Sequence, residues 1–237
     1  DIVYFTALGK DNYYFINRNM NPVLTAETHN FPTLISPFHG AHTGVGGRIR
    51  DNQATGLGAV VLSSLAGYCV GDIKTELNGK LTEELKRNLY GEYETPLSIL
   101  IKASDGASDY GNKFGEPIIG GFTRSFTTDN IVDVNGNKVD RIEWVKPIMF
   151  SAGVGAISEE NLYKKDAKPG MLVIRIGGPA YKIGLGGGYA SSLDQDSNNS
   201  DNDQSAVQRG DPEMCTKMNN VIRYLIDNKN IIVSIHD

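Results

Sequence analysis

Residues 25–58 constrain the fold of this chain more than any other stretch, because they hold almost nothing that could form a core. The run reads TAETHNFPTLISPFHGAHTGVGGRIRDNQATGLG, with glycines at positions 40, 44, 46, 47, 56 and 58. Its first residues close an extended stretch that begins near Pro22. From there to about Gly58, the chain is dominated by Gly, Pro, Asn, Asp and Thr. This composition predicts a strand that leads into a long glycine-rich loop.

The rest of the chain alternates between strand-like and helix-like segments. Apolar or alternating runs predict strands at 2–8, 60–70, 120–127, 141–157, 170–178, 205–210 and 231–237. A second glycine-rich loop, GGPAYKIGLGGGYASS, is predicted at 177–192. The polar segment 193–204 is predicted to be mobile, because it has too little apolar area to offset the entropy of ordering.

Two helices carry clear start signals. Thr95 and Pro96 fit the N-cap and first helical position of a helix that continues to about residue 115, and Asp211 and Pro212 do the same for residues 211–230. A charged, weaker helix is predicted over residues 80–94. The apolar period of the 211–230 helix predicts its buried face: Met214, Met218, Val221, Ile222 and Leu225.

This alternation of strands and helices indicates an α/β or α+β fold. A length of 237 residues allows one large domain or two small ones. We predict a boundary near Lys146, which divides the chain into 1–146 and 147–237. Because the chain begins within a strand-like run and stops at the tip of another, we expect it to be a piece of a longer protein.

Composition excludes several classes of partner. The formal net charge is −5, so no basic excess is present to neutralise nucleic-acid phosphates. No run is long and apolar enough to suggest a membrane span, and no signal peptide is visible. Cys69 and Cys215 are isolated and match neither a metal spacing nor a disulfide framework. We therefore expect a cytoplasmic protein with no nucleic-acid or membrane partner.

The hexapeptide TAETHN offers the first candidates for chemistry. Glu27 and His29 alternate along an extended chain and therefore share one face. A carboxylate is a hard oxygen ligand suited to Mg²⁺, and an imidazole can transfer a proton near neutral pH. The alternative, from these six residues alone, is a polar turn with no catalytic part.

Residues 40–51, GAHTGVGGRIRD, are similar to a phosphate-cradling loop, because glycines let backbone N–H groups approach an anion closely. The run lacks the GK[ST] of a P-loop and the spacing of a dinucleotide fingerprint. Arg50 and Asp51 add a phosphate clamp and a second metal carboxylate. His39 and His42 are expected to be ordinary loop residues.

Seven segments occur in an order that resembles one enzyme family over essentially the whole chain. They are ETHNFPT, ISPFHGAHTGVGGRIRDNQATG, FGEPIIGGFTRSF, KPIMFSAGVG, GGPAYKIGLGGGYASS, AVQRGDPEM and SIHD. Together they resemble the formylglycinamidine ribonucleotide synthetases of purine biosynthesis, in their large single-chain form. The resemblance implies an α+β, aminoimidazole-ribonucleotide-synthetase-like fold. It places an N-terminal mixed sheet with helices before part of an α/β C-terminal subdomain.

The family resemblance also implies a reaction and partners. ATP activates formylglycinamide ribonucleotide at its amide oxygen, and ammonia then displaces phosphate to give the amidine. The ammonia comes from glutamine in a glutaminase domain that this chain does not include, and a second synthetase-like half completes the enzyme. The implied cofactors are ATP and Mg²⁺.

The resemblance assigns roles to individual positions. Mg²⁺ would be held by Glu27, Asp51 and Asp237, and His29 would act at the reacting centre as a proton-transfer or oxyanion-stabilising group. Substrate contacts would come from Thr28, Asn30, Arg50 and Gln208. The nucleotide phosphates would be lined by Gly40, Ala41, His42, Thr43, Gly44, Val45, Gly46, Gly47, Arg48, Ile49, Arg50 and Asp51.

Two departures from the family pattern bear on these roles. Thr25 stands where the family usually has a lysine, and Phe31 replaces the second histidine of the usual HNHP. Loss of that lysine would weaken ATP binding or move its task elsewhere, whereas His29 keeps the catalytic assignment. Two alternatives stay open. One is another ATP-dependent member of the superfamily, of the aminoimidazole ribonucleotide synthetase or the selenophosphate or thiamine-phosphate kinase type. The other is a non-catalytic module that kept the fold.

Overall fold

The computed structural model describes residues 2–7, 13–178 and 207–237. Eight strands occur in this part of the chain: β1 (Ile2–Ala7), β2 (Tyr13–Arg18), β3 (Met20–His29), β4 (Val60–Val70), β5 (Ile118–Ser125), β6 (Thr127–Val132), β7 (Lys138–Glu143) and β8 (Ile148–Ser158). The helices are α1 (Phe31–Ile35), α2 (Pro37–Gln53), α3 (Lys74–Leu77), α4 (Glu83–Tyr90), α5 (Pro96–Phe114) and α6 (Pro212–Asp227), with a 3₁₀ turn at Glu159–Asn161.

Four of the strands form one mixed sheet in the order β3-β8-β4-β5. β8 runs antiparallel to both β3 and β4, whereas β4 and β5 are parallel. The pairs β1–β2 and β6–β7 are separate antiparallel hairpins. The sheet is mixed and helices accompany it, as the predicted α+β class requires.

One face of the sheet is covered by α2 and α5, and the main core lies between these layers. The helices contribute Ala41, Val45, Ile49, Ala103, Ala107 and Tyr110, and the sheet contributes Ala66, Tyr68 and Met149. Cys215 of α6 closes the same cluster. Both cysteines are free thiols, in agreement with the sequence expectation.

The prediction of a long loop after β3 was wrong, because residues 37–53 form helix α2. Its glycines make close helix contacts possible. A Cβ on Gly46 would stand 2.6 Å from the Tyr110 ring of α5, and a Cβ on Gly40 would collide with the backbone of Pro32 in α1. Glycine costs a helix up to about 1 kcal/mol per residue. Packing that no larger side chain would allow offsets that cost.

The helix start signals were confirmed. The Thr95 hydroxyl accepts a hydrogen bond from Ser98 N at 3.2 Å, and Asp211 Oδ1 accepts one from Met214 N at 3.0 Å. The predicted buried face of α6 was partly wrong. Cys215, Ile222 and Ile226 are buried, whereas Met214 and Val221 are exposed. The helix is rotated toward the side that carries Cys215, which packs on the α2–α5 core.

Three predicted strands were not found among the described residues. Leu172, Val173 and Ile174 lie in an exposed segment with no assigned secondary structure. Residues 207–210 and 231–237 also form no ladder. A strand needs a neighbouring strand to pair with its backbone groups, and a local apolar pattern cannot supply one. Most of the predicted loop 177–192 and all of segment 193–204 lie outside the described residues.

The predicted boundary near Lys146 falls beside strand β8, which lies between β3 and β4 in the sheet. A boundary beyond Ser158 fits these contacts better, and the division of the chain remains a prediction.

Within the described ranges, no helix has the length and apolarity needed to cross a bilayer.

Candidate functional site

Strand β3 carries the first group of candidate residues at its C-terminal end. Glu27 and His29 point toward α2. Glu27 Oε1 would lie 3.1 Å from a Cβ on Gly47, and the His29 ring would lie 2.5 Å from one on Gly44. Side chains alternate along a strand, so Thr28 faces the other side of the sheet. Its cross-strand neighbour Phe150 packs there against Phe122. The structure therefore separates Thr28 from the face that Glu27 and His29 share.

The His29 ring is half-buried at the junction of β3, β8 and α2. Its Nε2 lies 3.2 Å from Met149 Sδ, and its Nδ1 lies 3.4 Å from Thr33 Oγ1. Burial lowers the pKa of His29 to about 4. At neutral pH the imidazole is therefore uncharged, and it can donate or accept a hydrogen bond but is not an imidazolium acid.

Helix α2 presents a second group on its accessible side. Thr43, Gly47, Arg50 and Asp51 are not buried, and they lie at the i, i+4, i+7, i+8 spacing of one helix face. We call these four residues the α2 site face. The remaining residues of the predicted nucleotide-binding run face the core: Gly40, Ala41, His42, Gly44, Val45, Gly46, Arg48 and Ile49. The predicted phosphate loop is thus a helix with one accessible face.

Charged groups of β3, α2 and the last residue meet above the α2 site face. Arg50 Nε donates a hydrogen bond to Asp237 Oδ1 at 2.8 Å. Desolvation raises the pKa of the Glu27 carboxyl, and the neighbouring Asp51 carboxylate raises it further, whereas Arg50 lowers it. Desolvation also raises the pKa of Asp51, and the Asp237 carboxylate adds to this effect. Three carboxylates therefore share one region with the Arg50 guanidinium.

The donor chemistry of this cluster fits Mg²⁺, because carboxylate oxygens are its preferred protein ligands. Mutual repulsion that raises the pKa of Glu27 and Asp51 is also what a divalent cation would relieve. As the side chains stand, however, no three His, Cys, Asp or Glu residues in the described part of the chain are arranged to hold a metal ion. Arg50 provides the positive charge beside Asp237 instead.

Arg48 does not line the site. Its side chain is fully buried and forms a two-pronged ion pair with Glu116, in which Arg48 Nη1 donates to Glu116 Oε1 at 2.8 Å and Nη2 donates to Oε2. The guanidinium crosses β8 at Gly153, where a Cβ would collide with it. In place of the predicted nucleotide contact, Arg48 makes a structural contact between α2 and the segment just before β5.

His42 is also a packing residue in this structure. Its side chain is buried, its Nε2 lies 3.2 Å from Asp109 Oδ2, and its ring stacks on Phe38 and meets the edge of Tyr110. Burial lowers the pKa of His42, although Asp109 acts in the opposite direction. The expectation of an ordinary loop histidine was wrong about the loop, because His42 lies inside α2 and ties it to α5.

Asn30 and Gln208 complete the predicted set. Asn30 Oδ1 caps α1 by accepting a hydrogen bond from Phe31 N at 2.5 Å. Gln208 has an exposed side chain, and its carbonyl accepts a hydrogen bond from Thr43 Oγ1 at 2.7 Å. The structure therefore brings together Glu27, His29, Thr43, Arg50, Asp51, Gln208 and Asp237, and it leaves Thr28 and Arg48 apart from them.

Sequence reasoning missed the partners that organise α2. Glu116 and Asp109 lie far along the chain from Arg48 and His42, so no local pattern could pair them. A helical spacing of the accessible positions was present in GAHTGVGGRIRD, but the glycine content masked it.

Comparison with known proteins gives two family matches. Residues 9–139 match the model of the AIR synthase related protein, N-terminal domain, and residues 168–237 match that of the AIR synthase related protein, C-terminal domain.

Curated relatives agree with these matches. The chain is 50% identical over 222 residues to the probable phosphoribosylformylglycinamidine synthase, chloroplastic/mitochondrial, of Arabidopsis thaliana, covering 93% of this chain and 15% of that protein. It is 50% identical over 218 residues to the phosphoribosylformylglycinamidine synthase of Homo sapiens, covering 91% and 16%. The chain thus spans about a sixth of the length of these relatives.

Solved structures support the fold. T. maritima PurL complexed with ATP superposes with a TM-score of 0.53 at 20% identity, covering 90% of this chain and 26% of that one. T. maritima PurL complexed with FGAR gives a TM-score of 0.52 at 21% identity, covering 90% of this chain and 28% of that one. The AIR-synthetase-like fold predicted from the seven sequence segments agrees with the family matches and with these solved structures.

Proposed function

Because the chain belongs to the AIR synthase related family, we propose that it forms the first synthetase-like part of a phosphoribosylformylglycinamidine synthase. The observation that carries the proposal is the 50% identity to enzymes of that name over 93% of this chain. The shared face of β3 and α2 supports it, because acidic and basic groups meet there as a phosphoryl-transfer site requires.

In the proposed reaction, ATP transfers its γ-phosphoryl group to the amide oxygen of formylglycinamide ribonucleotide. Ammonia then attacks the activated carbon, and phosphate leaves as the amidine forms. The products are formylglycinamidine ribonucleotide, ADP and phosphate. This chemistry brings two polyanionic ligands together, so a site with few bulky side chains and several fixed charges suits it.

On the α2 site face, Gly47 and Arg50 form the proposed contact for phosphate groups. Gly47 leaves the helix surface open between Glu27 and Arg50, and Arg50 can bind a phosphate oxygen once it exchanges Asp237 for the ligand. Glu27, Asp51 and Asp237 are the residues proposed to hold Mg²⁺. When bound, the metal would neutralise phosphate charge and orient the phosphoryl group.

His29 is proposed to act as a neutral hydrogen-bond donor to the amide oxygen. Burial lowers the pKa of His29 to about 4, so the ring is not an imidazolium acid at neutral pH and is only a weak base, which favours hydrogen-bond donation over proton transfer. In the described geometry both ring nitrogens lie close to protein atoms. Substrate contact therefore requires one nitrogen to exchange Thr33 or Met149 for the ligand.

Asn30 and Gln208 are proposed as further substrate contacts on the same side of the sheet. Asn30 uses its Oδ1 to cap α1, so its side-chain amide nitrogen is the group proposed to face the substrate. A contact by Thr28 requires a ligand on the outer face of the sheet, since its cross-strand neighbour Phe150 packs there against Phe122.

The outer face of the sheet is the proposed docking surface for the second synthetase-like half. Leu24, Leu65, Phe122 and Ile148 are exposed there, and no described helix covers them. Exposed apolar clusters of this kind mark interaction sites. The glutaminase domain that would supply ammonia is likewise proposed to belong to the full-length protein, and a cytoplasmic location remains a prediction.

The direct test is to assay the full-length protein that contains this chain with formylglycinamide ribonucleotide, Mg-ATP and glutamine or ammonia. We expect amidine product, ADP and phosphate in equal amounts. Turnover of formylglycinamidine ribonucleotide to an aminoimidazole ribonucleotide, with none of formylglycinamide ribonucleotide, would assign a different member of the family. The 237-residue chain alone is expected to be inactive.

A further inference from the structure

Thr43 connects the α2 site face to a segment far along the chain. Its hydroxyl donates to the carbonyl of Gln208 at 2.7 Å and accepts from the backbone N–H of Gly210 at 3.1 Å. The Thr43 hydroxyl thus donates one hydrogen bond and accepts another, and both partners are backbone groups of the segment 208–210. Valine has nearly the same shape but can make neither bond.

Gly210 packs against two buried aromatic rings, those of Tyr110 and His42. A Cβ at this position would lie 2.8 Å from Tyr110 Cε2 and 3.5 Å from His42 Nδ1. Tyr110 is 1% exposed and His42 is 6% exposed, and their rings meet edge to face at 4.8 Å. His42 is fixed in turn by Phe38 and Asp109. Residues 208–210 are therefore held by hydrogen bonds to Thr43 and by packing against two buried rings.

The held segment includes a residue already proposed to contact the substrate. Gln208 contributes its backbone carbonyl to Thr43, while its side chain is exposed. Thr43 lies one helical turn before Gly47, on the face that carries Arg50 and Asp51. Fixing the backbone at 208 therefore sets where the Gln208 amide can reach relative to these charged groups.

We propose that Thr43 is a positioning residue that clamps residues 208–210 onto α2 and so places Gln208 at the site. Its hydroxyl does not touch the substrate, in contrast with the nucleotide contact expected from the sequence. The kinetic part of this inference rests on the proposed function, whereas the clamp is a property of the chain itself.

The clamp is tested by amide hydrogen exchange at Gly210 in the chain, which needs no activity. Thr43→Val removes the acceptor of the Gly210 N–H, and we expect exchange at this amide to accelerate about tenfold. Thr43→Ser keeps a hydroxyl and should restore most of the protection. Thr216→Val is the matched control, because its hydroxyl donates to Pro212 O within α6, away from Gly210. Unchanged exchange at Gly210 in Thr43→Val would overturn the clamp.

Positioning is tested in the full-length enzyme. Thr43→Val should raise KM for formylglycinamide ribonucleotide about tenfold with a smaller change in kcat, and Thr43→Ser should largely restore KM. In a Gln208→Ala background, Thr43→Val should add little, because the positioned group is already gone. A full additional loss in that background, or an unchanged KM with faster Gly210 exchange, would refute the positioning role.

The two readouts separate the two hypotheses. If wild-type full-length protein does not convert formylglycinamide ribonucleotide, the proposed function fails while the exchange result still decides the clamp. If the wild type is active, exchange and KM together decide whether Thr43 holds the segment and whether holding it matters to catalysis.

Discussion

Breaking the buried Arg48–Glu116 pair is expected to destabilise the chain strongly. Arg48 is fully buried, and the Glu116 side chain is 1% exposed, so neither group can turn to water. Arg48→Met keeps a long apolar stem but leaves the Glu116 carboxylate without its partner. Glu116→Gln is the reciprocal change and leaves the guanidinium uncompensated.

The magnitude of the loss is set by this burial. Removing one partner of a buried ion pair costs about 3–5 kcal/mol, because the remaining charge is unpaired in a medium of low polarity. In a domain of this size, about 1 kcal/mol shifts the thermal midpoint by roughly 2–4 °C. We therefore expect Arg48→Met to lower the midpoint by roughly 6–20 °C. The double variant Arg48→Met/Glu116→Met should recover much of the loss, since it buries no charge.

Thermal and chemical unfolding of the wild type and these variants, monitored by circular dichroism, measures the effects. Lys102 pairs with Glu94 at an exposed site, so Lys102→Met serves as the matched control and should change stability by about 1 kcal/mol or less. A midpoint for Arg48→Met close to that of the control would show that the buried pair does not stabilise the fold. A double variant no more stable than either single variant would show that packing, not charge, dominates this position.

Three further outcomes are expected from the structure. The pKa of His29 is about 4 in the folded chain, so the unfolded chain binds the proton first as the pH falls below about 6.5. The free energy of unfolding should therefore decrease between about pH 6.5 and 4. In His29→Asn this decrease should be shallower than in the wild type. Gly46→Ala should lower the thermal midpoint because its Cβ would lie 2.6 Å from the Tyr110 ring. Gly47→Ala should be nearly neutral, because its nearest neighbour is the carboxylate at the end of the long Glu27 side chain, at 3.1 Å. In the full-length enzyme, His29→Ala should reduce turnover on the order of 100- to 1,000-fold with a small midpoint change, because it removes one hydrogen-bond donor from the developing negative charge. A loss explained by unfolding alone would remove His29 from the mechanism.

Local chemistry was enough to predict much of the framework. β4 and β8 were visible from their apolar or alternating patterns, and the starts of α5 and α6 were visible from Thr95 and Asp211 with the proline next to each. These signals depend on residues adjacent in sequence, so tertiary contacts did not need to be known.

Helix α2 could not be predicted in the same way. Its glycines lower intrinsic helix propensity, and the compensation comes from Tyr110 in α5 and Pro32 in α1, which the local pattern of α2 does not reveal. At Leu172–Ile174 the error was a false strand rather than a missed helix. The apolar pattern predicted a buried strand, but the described residues provide no strand to pair with it.

The part of the candidate site that depends on residues close together in the chain was predicted, and the part that depends on distant residues was not. Glu27 and His29 share a face because a strand fixes their alternation, and Arg50 and Asp51 reach them because α2 comes soon after β3 in the chain. Arg48 and Thr43 could not be assigned from sequence, since their roles depend on Glu116 and Gly210 far along the chain.

We propose that the accessible face shared by β3 and α2 forms part of the site of a phosphoribosylformylglycinamidine synthase. This proposal is tested by ammonia-dependent conversion of formylglycinamide ribonucleotide by the full-length protein, measured for wild type and for Asp51→Asn at equal folded fractions. We predict amidine formation by the wild type and a loss of on the order of 100-fold in kcat/KM for the variant, because Asp51 is a proposed Mg²⁺ ligand. Amidine formation that is indifferent to Asp51, or no amidine formation by the wild type, would contradict the claim.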